Sequence, residues 1–304
     1  YLFAGPPGVG RRTLALRFAQ ALNCTQPKEP GIPCGTCRDC KQTEAMQHPD
    51  LTIVQADSQG GILKVDQVRE ARRALTFKPY QSKYRVALFL RFQEANDNAA
   101  NALLKTLEEA PSYAVLMLTA DSPEALLPTI VSRCEVLRMR PLSIESVVSF
   151  LKSHGADQAT ANLLAHISDG RPGYALRLLE NPSALEFREE KLKDLDALLP
   201  SSRVDKFAYA EKLSRDKDSM RNVLLLWLSF WRDVLLKVSG ASTPIANMDR
   251  KHQIESLADH INLSEARHAV SDLEKTLLRL DANVNARLLA EVLLLDWPKI
   301  NNHR

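Results

Sequence analysis

The sequence predicts an α/β domain with a doubly wound parallel sheet, followed by an all-helical remainder. Three observations point that way. An apolar strand, a glycine-rich turn and an amphipathic helix follow one another from the first residue. Short apolar runs then alternate with helical stretches, the pattern of strands buried under crossover helices. From Pro141 onward the strand-type runs stop while helical periodicity continues. A chain of 304 residues exceeds a single core, so three regions are expected: 1–140 with a cysteine module at 23–42, a small helical domain at 141–181, and a helical domain at 182–304.

Tyr1 to Ala4 form the first strand, and the run Gly5-Pro6-Pro7-Gly8-Val9-Gly10-Arg11-Arg12-Thr13 turns into a helix reading Leu14 to Leu22. Strand, glycine turn and helix are the layout of a phosphate-binding loop, in which backbone N–H groups and a helix N-terminus face an anion. Gly5, Pro6, Gly8, Gly10, Arg11, Arg12 and Thr13 are therefore candidate nucleotide-binding positions, in degenerate form. A working loop places lysine and then Ser or Thr after the last glycine, for the outer phosphates and for magnesium. Arg11 keeps a positive charge there, but Arg12 replaces the magnesium hydroxyl, and Thr13 lies one residue out of register, about 100 degrees around the helix. ATP is expected to be absent or weakly held, and hydrolysis by this chain alone is not expected.

Four of the five cysteines, Cys24, Cys34, Cys37 and Cys40, fall in the spacing C-x9-C-x2-C-x2-C. Short C-x2-C hooks present two sulfurs from one turn, and four thiolates satisfy zinc tetrahedrally with no open position for catalysis. Structural Zn²⁺ is the reading preferred over two disulfides or an iron-sulfur cluster, which the spacing leaves open. Pro30, Gly31, Pro33 and Gly35 suggest a knuckle with little regular structure.

Leu51 to Val54 reads as a buried strand, Val65 to Leu75 as a helix, and Val86 to Leu90 as the central strand. A nucleotide hydrolase carries a magnesium carboxylate, often followed by a glutamate, at the end of that strand; Leu90 and Arg91 stand there. Glu94 is three residues on, where the chain is already turning. Asn96 to Glu109 is a capped amphipathic helix, Val115 to Leu118 another strand, and a helical piece ends at Ser132-Arg133-Cys134 before a last strand at Val136 to Met139. Arg69, Arg72, Arg73 and Lys105 could reach a nucleic-acid backbone, but a solvated charged face is the commoner meaning of such residues.

Beyond Pro141 the helices read Ser143 to His154, Ala156 to Ile167 and Gly173 to Leu179, with Met220 to Val238 and Leu288 to Trp297 the most apolar stretches after them. Ser239 to Pro244 reads as an exposed loop. A net charge of +3 is too small to imply nucleic acid by itself, and no apolar run is long enough for a membrane span. Clustered cysteines suit a reducing, cytoplasmic setting. The first residue already lies in a strand, which is read as a truncated N-terminus.

The order of these motifs is specific. Gly-Pro-Pro-Gly-x-Gly, the four-cysteine insertion, Asn101-Ala-Leu-Leu-Lys-Thr-Leu-Glu-Glu109, Ser132-Arg-Cys134 and the tail around Asn285-Ala-Arg-Leu-Leu-Ala-Glu-Val-Leu-Leu-Leu295 together resemble the AAA+ subunits of bacterial clamp loaders, over essentially the whole chain. The resemblance implies an AAA+ phosphate-loop domain with a zinc insertion, a helical lid and a C-terminal collar. Of the siblings in that family, the gamma/tau ATPase keeps Gly-Lys-Thr or Gly-Lys-Ser, an Asp-Glu pair and a lid arginine. This chain has Arg11-Arg12, Leu90-Arg91 and Gly173, which looks like the non-hydrolysing delta-prime branch. The resemblance further implies that Arg133 acts in trans as an arginine finger on a neighbour's ATP. Its implied partners are gamma/tau and delta subunits, with the sliding clamp and primed DNA reached through the assembled complex, and no membrane. The alternative is an active gamma/tau-like ATPase with a variant loop, in which arginine does the work of lysine.

Overall fold

Five parallel strands in the order β2-β3-β4-β1-β5 form the centre of the first of two units into which the chain divides, Tyr1–Leu142 and the part from Ser143 onward. The strands are β1 (Leu2–Ala4), β2 (Leu51–Val54), β3 (Arg85–Phe89), β4 (Ala114–Ala120) and β5 (Val136–Arg138). The structure is a computed structural model and describes residues 1–58, 60–282 and 284–298. Between the strands lie α1 (Arg11–Asn23), α2 (Arg38–Glu44), α3 (Val65–Thr76), α4 (Asp97–Glu108) and the short α5 (Pro128–Val131).

Alternation along the strands divides the core. Leu2, Ala4, Ala87, Phe89 and Leu118 face α3 and α4, joining Val68, Ala71, Leu75 and Leu103. Phe3, Val86, Leu88 and Met117 face the other side, against Ala15 and Ala19 of α1. Both faces of β3 are therefore covered, which is why its sequence is continuously apolar rather than alternating.

Strand order fixes the functional edge. β1 pairs with β4 through Leu2 and Leu118 and with β5 through Leu2 and Val136, so the segments after β1 and β4 emerge side by side at the carboxyl ends of the strands. The segment after β3 leaves the same edge one strand further along. In an open α/β sheet this edge is where ligands are bound.

Among the described residues the second unit is all-helical. Three helices, α6 (Ile144–Ser153), α7 (Gln158–Ile167) and α8 (Pro172–Glu180), close over Val147, Leu151, Ala161, Leu164 and Leu178. A separate apolar core belongs to α9 (Pro182–Leu198), α10 (Arg203–Leu213), α11 (Lys217–Val238), α12 (Lys251–His260), α13 (Leu263–Asp281) and α14 (Ala286–Asp296). At its middle Trp227 and Trp297 meet edge to face with ring centroids 5.0 Å apart, and Trp231 lies 6.1 Å from Trp297. Ser239 to Pro244 is exposed, whereas Ile245 to Asn247 is buried. Asp233 holds that buried turn by accepting from the backbone of Ala246 and Asn247 at 3.1 and 2.7 Å. No helix among the described residues is long and apolar enough to cross a membrane.

Candidate functional site

The phosphate loop spans the gap between β1 and α1. Gly8 and Gly10 have φ of 86° and 106°, in the left-handed region where a Cβ is costly. Gly5 is required for a different reason: a Cβ there would sit 2.6 Å from the carbonyl oxygen of Met139, just past β5. Its N–H donates to Ala120 O at 3.1 Å, tying the loop to the end of β4. Gly10 caps α1 without a side chain, so the helix N-terminus keeps the open layout of an anion cradle.

The cation of that cradle is already engaged. Arg11 Nη1 donates to Asp121 Oδ1 at 2.6 Å, with the two side chains only 11% and 24% exposed. Asp121 follows β4, and the pairing of β1 with β4 is what brings a residue 110 positions away onto the loop. A phosphate would have to displace this carboxylate to reach Arg11. Arg12 points elsewhere, its Nη2 lying 3.1 Å from the sulfur of Met46. Of the predicted loop residues, Gly5, Gly8 and Gly10 thus shape the backbone, while Arg11 and Arg12 are turned to protein partners.

No magnesium carboxylate stands at the end of β3. Leu90 is buried, and Arg91 adopts φ 50° with its N–H donating to Thr119 Oγ1 at 2.9 Å. Arg91 Nε holds Glu94 Oε1 at 2.7 Å, and the same oxygen accepts from Gly60 N at 2.9 Å. Glu94 lies in a single 3-10 turn, Phe92–Glu94, with its Oε1 held by these contacts.

Arg133 follows α5 at the surface. Its partner is Glu108 at the end of α4: Arg133 Nε and Nη2 lie 2.6 and 2.5 Å from Glu108 Oε1. Nη1 donates to Thr129 O at 2.9 Å and reaches Ser132 Oγ at 3.4 Å. The guanidinium is therefore engaged by its own chain along both edges while the side chain remains 36% exposed.

Cys24, Cys34, Cys37 and Cys40 come together with their sulfurs all within 4.8 Å of one another. Cys24 and Cys34 are 3.6 Å apart and Cys34 and Cys40 4.0 Å, close to the ~3.8 Å that tetrahedral geometry gives for Zn–S bonds of ~2.3 Å. Backbone N–H groups of Cys34, Cys37 and Cys40 donate to the sulfurs of Cys24, Cys34 and Cys37 at 3.3 to 3.4 Å. Such bonds favour thiolates: the N–H groups of Cys37 and Thr36 pull the Cys34 thiol down to about 6. Burial opposes ionisation of Cys37, but donors from Cys40 and Thr25 outweigh it and its pKa is lowered. Burial pushes the Cys40 thiol up, so it gains most from a nearby cation when it ionises. The donor set fits a metal and shows no disulfide, since all four cysteines are free. The stretch around Pro30, Gly31, Pro33 and Gly35 has no helix or strand, as expected, and a short helix follows it: Cys37 caps α2 and Cys40 lies in its first turn.

A buried polar network behind this cluster was not legible in the spacing. Gln20 Nε2 donates to Cys40 O at 2.7 Å, and Asp39 Oδ1 faces His48 Nε2 at 3.2 Å. His48 Nδ1 accepts from Asp50 N at 3.0 Å, which places the proton of the neutral ring on Nε2, toward Asp39. Asp50 in turn accepts backbone N–H bonds from Tyr80, Gln81 and Ser82 at 2.6, 2.9 and 3.0 Å. The cysteine module is thereby stapled to the segment that enters β3.

Elsewhere, Arg69, Arg72, Arg73 and Lys105 line one groove between α3 and α4, with Glu109 among the lining residues. Arg72 Nε donates there to Thr106 Oγ1 at 3.0 Å.

Comparison with known proteins gives a consistent result. Residues 1–143 match the family described as DNA polymerase III, delta subunit, and residues 182–299 match DNA polymerase III, delta subunit, C terminal. The delta′ subunit of DNA polymerase III from Pseudomonas aeruginosa is 31% identical over 312 residues, covering 99% of this chain and 92% of that protein. The delta′ subunit from Bacillus subtilis is 28% identical over 299 residues, covering 97% and 89% respectively. The tau subunit from Bacillus subtilis is 31% identical over 221 residues, covering 71% of this chain and 38% of that protein.

Proposed function

Because the chain belongs to the delta′ family of DNA polymerase III clamp-loader subunits, which is related to tau and gamma, we propose that it is the loader's non-hydrolysing stator and presents Arg133 to ATP on a neighbouring subunit. The observation that carries this reading is the contrast between two arginines. Both pair with a carboxylate of their own chain, but Arg11, inside the loop, is largely buried against Asp121, whereas Arg133 with its partner Glu108 stands at the surface.

The chemistry follows from what each position lacks or keeps. Phosphoryl transfer needs magnesium held by the loop hydroxyl and a strand carboxylate. Arg12 and Leu90 supply neither. Arginine in place of lysine would leave the active-ATPase alternative with charge but without a metal ligand. A planar guanidinium placed on a neighbour's γ-phosphate neutralises charge that develops in the transition state, an effect of about 10³ to 10⁵ in GTPases.

In this reading residues 141–181 serve as lid and 182–304 as collar, joining gamma/tau and delta subunits in a cytoplasmic complex that acts on the sliding clamp and primed DNA. Cys24, Cys34, Cys37 and Cys40 would hold structural Zn²⁺; the metal keeps the insertion folded and has no part in phosphoryl transfer.

The test is DNA- and clamp-stimulated ATP turnover by cognate gamma/tau and delta subunits with this chain added as wild type or as Arg133→Ala. The variant is expected to assemble and to lose most of the stimulation. Equal turnover with both proteins would leave Arg133 a local structural residue.

A further inference from the structure

We infer that Glu108 is a cis competitor for Arg133: it holds the guanidinium against its own subunit, and delivery of the finger to a neighbouring phosphate requires this contact to break. The inference rests on the reading of Arg133 as a finger acting in trans.

The geometry defines the competition. Arginine has five N–H donors, and bidentate recognition of an oxyanion uses two that point the same way. In Arg133 the Nε and Nη2 edge is taken by a single carboxylate oxygen of Glu108, and Nη1 faces Thr129 O and Ser132 Oγ. Both edges are therefore directed at this chain. Glu108 ends α4 and Arg133 follows α5, two elements that pack on each other within the first unit, so the pair forms without any neighbour.

Magnitude decides whether this contact locks the finger or only biases it. The two side chains are 36% and 47% exposed, and ion pairs at that level of solvation contribute little. Glu108 therefore acts as a modest brake, with an effect on the order of two- to five-fold. A fully buried pair would have made Arg133 unavailable. The exposed pair instead keeps one of many rotamers populated until an anion of higher charge is offered.

Where the brake is released determines which kinetic constant reports it. If Arg133 leaves Glu108 when ATP binds, removal of the carboxylate lowers KM; if it leaves only as the transition state forms, kcat rises. Either way kcat/KM of the neighbouring site rises.

The experiment measures kcat and KM for ATP in the complex reconstituted with cognate gamma/tau and delta subunits, clamp and primed DNA. The chain is supplied as wild type, Glu108→Gln, Arg133→Ala and the double variant. Glutamine keeps the size and removes the charge. Expected are a rise of about two- to five-fold in kcat/KM for Glu108→Gln, a fall for Arg133→Ala, and a double variant equal to Arg133→Ala alone. A purely structural Glu108 would give the opposite sign, and thermal melting of the isolated variants identifies loss of folding. If Arg133→Ala lowers turnover while Glu108→Gln leaves it unchanged or lower, the competitor role is wrong and the finger stands. If Arg133→Ala has no effect, the finger reading fails and the pair is an ordinary surface contact.

Discussion

Arg11, in the first turn of α1, and Asp121, beyond the end of β4, form an ion pair that joins the phosphate loop to the neighbouring strand at 2.6 Å. The loop's own cation thus has an anion within the fold. Replacing Asp121 leaves a largely buried guanidinium without this partner, which typically costs about 1–3 kcal/mol. Asp121→Asn is expected to lower urea stability by that amount, and a double-mutant cycle with Arg11→Gln should return a coupling near 1 kcal/mol or more. Hydrolysis should not be regained in any of these variants, because Leu90 and Arg12 still offer magnesium no ligand; turnover by the isolated Asp121→Asn protein would contradict the argument.

Gly5 tests the same edge from the backbone side. Its missing Cβ leaves 2.6 Å to Met139 O, too close for any side chain, and backbone cannot yield as a flexible side chain can. Gly5→Ala should therefore cost about 1–3 kcal/mol. Thermal melting checks this, and an alanine variant as stable as wild type would show that β1 and the residues after β5 can part cheaply.

The cysteine cluster should carry one equivalent of zinc by elemental analysis, without the visible absorbance of an iron-sulfur centre. Chelation is expected to unfold the insertion around α2 while the far-ultraviolet signal of the remaining helices survives, because Phe3, Leu88 and Met117 pack the sheet against α1 independently of the sulfurs. Loss of all cooperative structure on chelation would mean that the Gln20 to Cys40 and Asp39 to His48 links carry more than a local staple.

Asp50 sets an acid limit on the first unit. Burial raises its pKa, but the backbone N–H groups of Tyr80, Gln81 and Ser82 outweigh that and hold it below the usual carboxylate range. The folded carboxyl thus ionises more readily than the unfolded one. Its stabilisation is complete above the unfolded value of about 3.9 and is lost as pH falls through the lower folded value. Asp50→Asn should cost about 1–3 kcal/mol near neutral pH, and the difference from wild type should shrink as pH drops below about 4. A difference independent of pH, followed by urea titration, would locate the cost in packing instead of charge.

The fold and the outline of the site were legible where the sequence repeats a local rule. Strand burial on both faces wrote itself into Val86 to Phe89, Asn96 does cap α4 through Ala99 N, and four cysteines at short spacing converge. What was hidden depends on topology. Asp121 meets Arg11 because β1 inserts between β4 and β5, and Glu108 meets Arg133 because α4 packs on α5; neither separation, 110 or 25 residues, carries a local signal. Likewise, the proline and glycine content before Cys37 did mark an irregular stretch, but it gave no sign of the helix that begins after it, where Cys40 N donates to the Cys37 cap.

The second unit contains its own concealed polar link, and it gives a sharp stability test. Arg188 on α9 is almost fully buried, yet it donates through Nη1 and Nη2 to the two oxygens of Asp249 at 2.6 and 3.0 Å and through Nη2 to Asn247 Oδ1 at 2.7 Å. Asn247 is itself held by Asp233, so one network pins the buried turn after the exposed loop to both α9 and α11. Removing the cation leaves Asp249 and Asn247 without their donor in a site that excludes most water, and breaking such a pair typically costs about 3–5 kcal/mol. Arg188→Ala should fall in that range. Arg188→Met preserves much of the packing volume, so the part of the loss it fails to recover measures the polar network alone. Near-complete recovery by methionine would instead assign Arg188 a filling role, with its hydrogen bonds close to break-even against their desolvation.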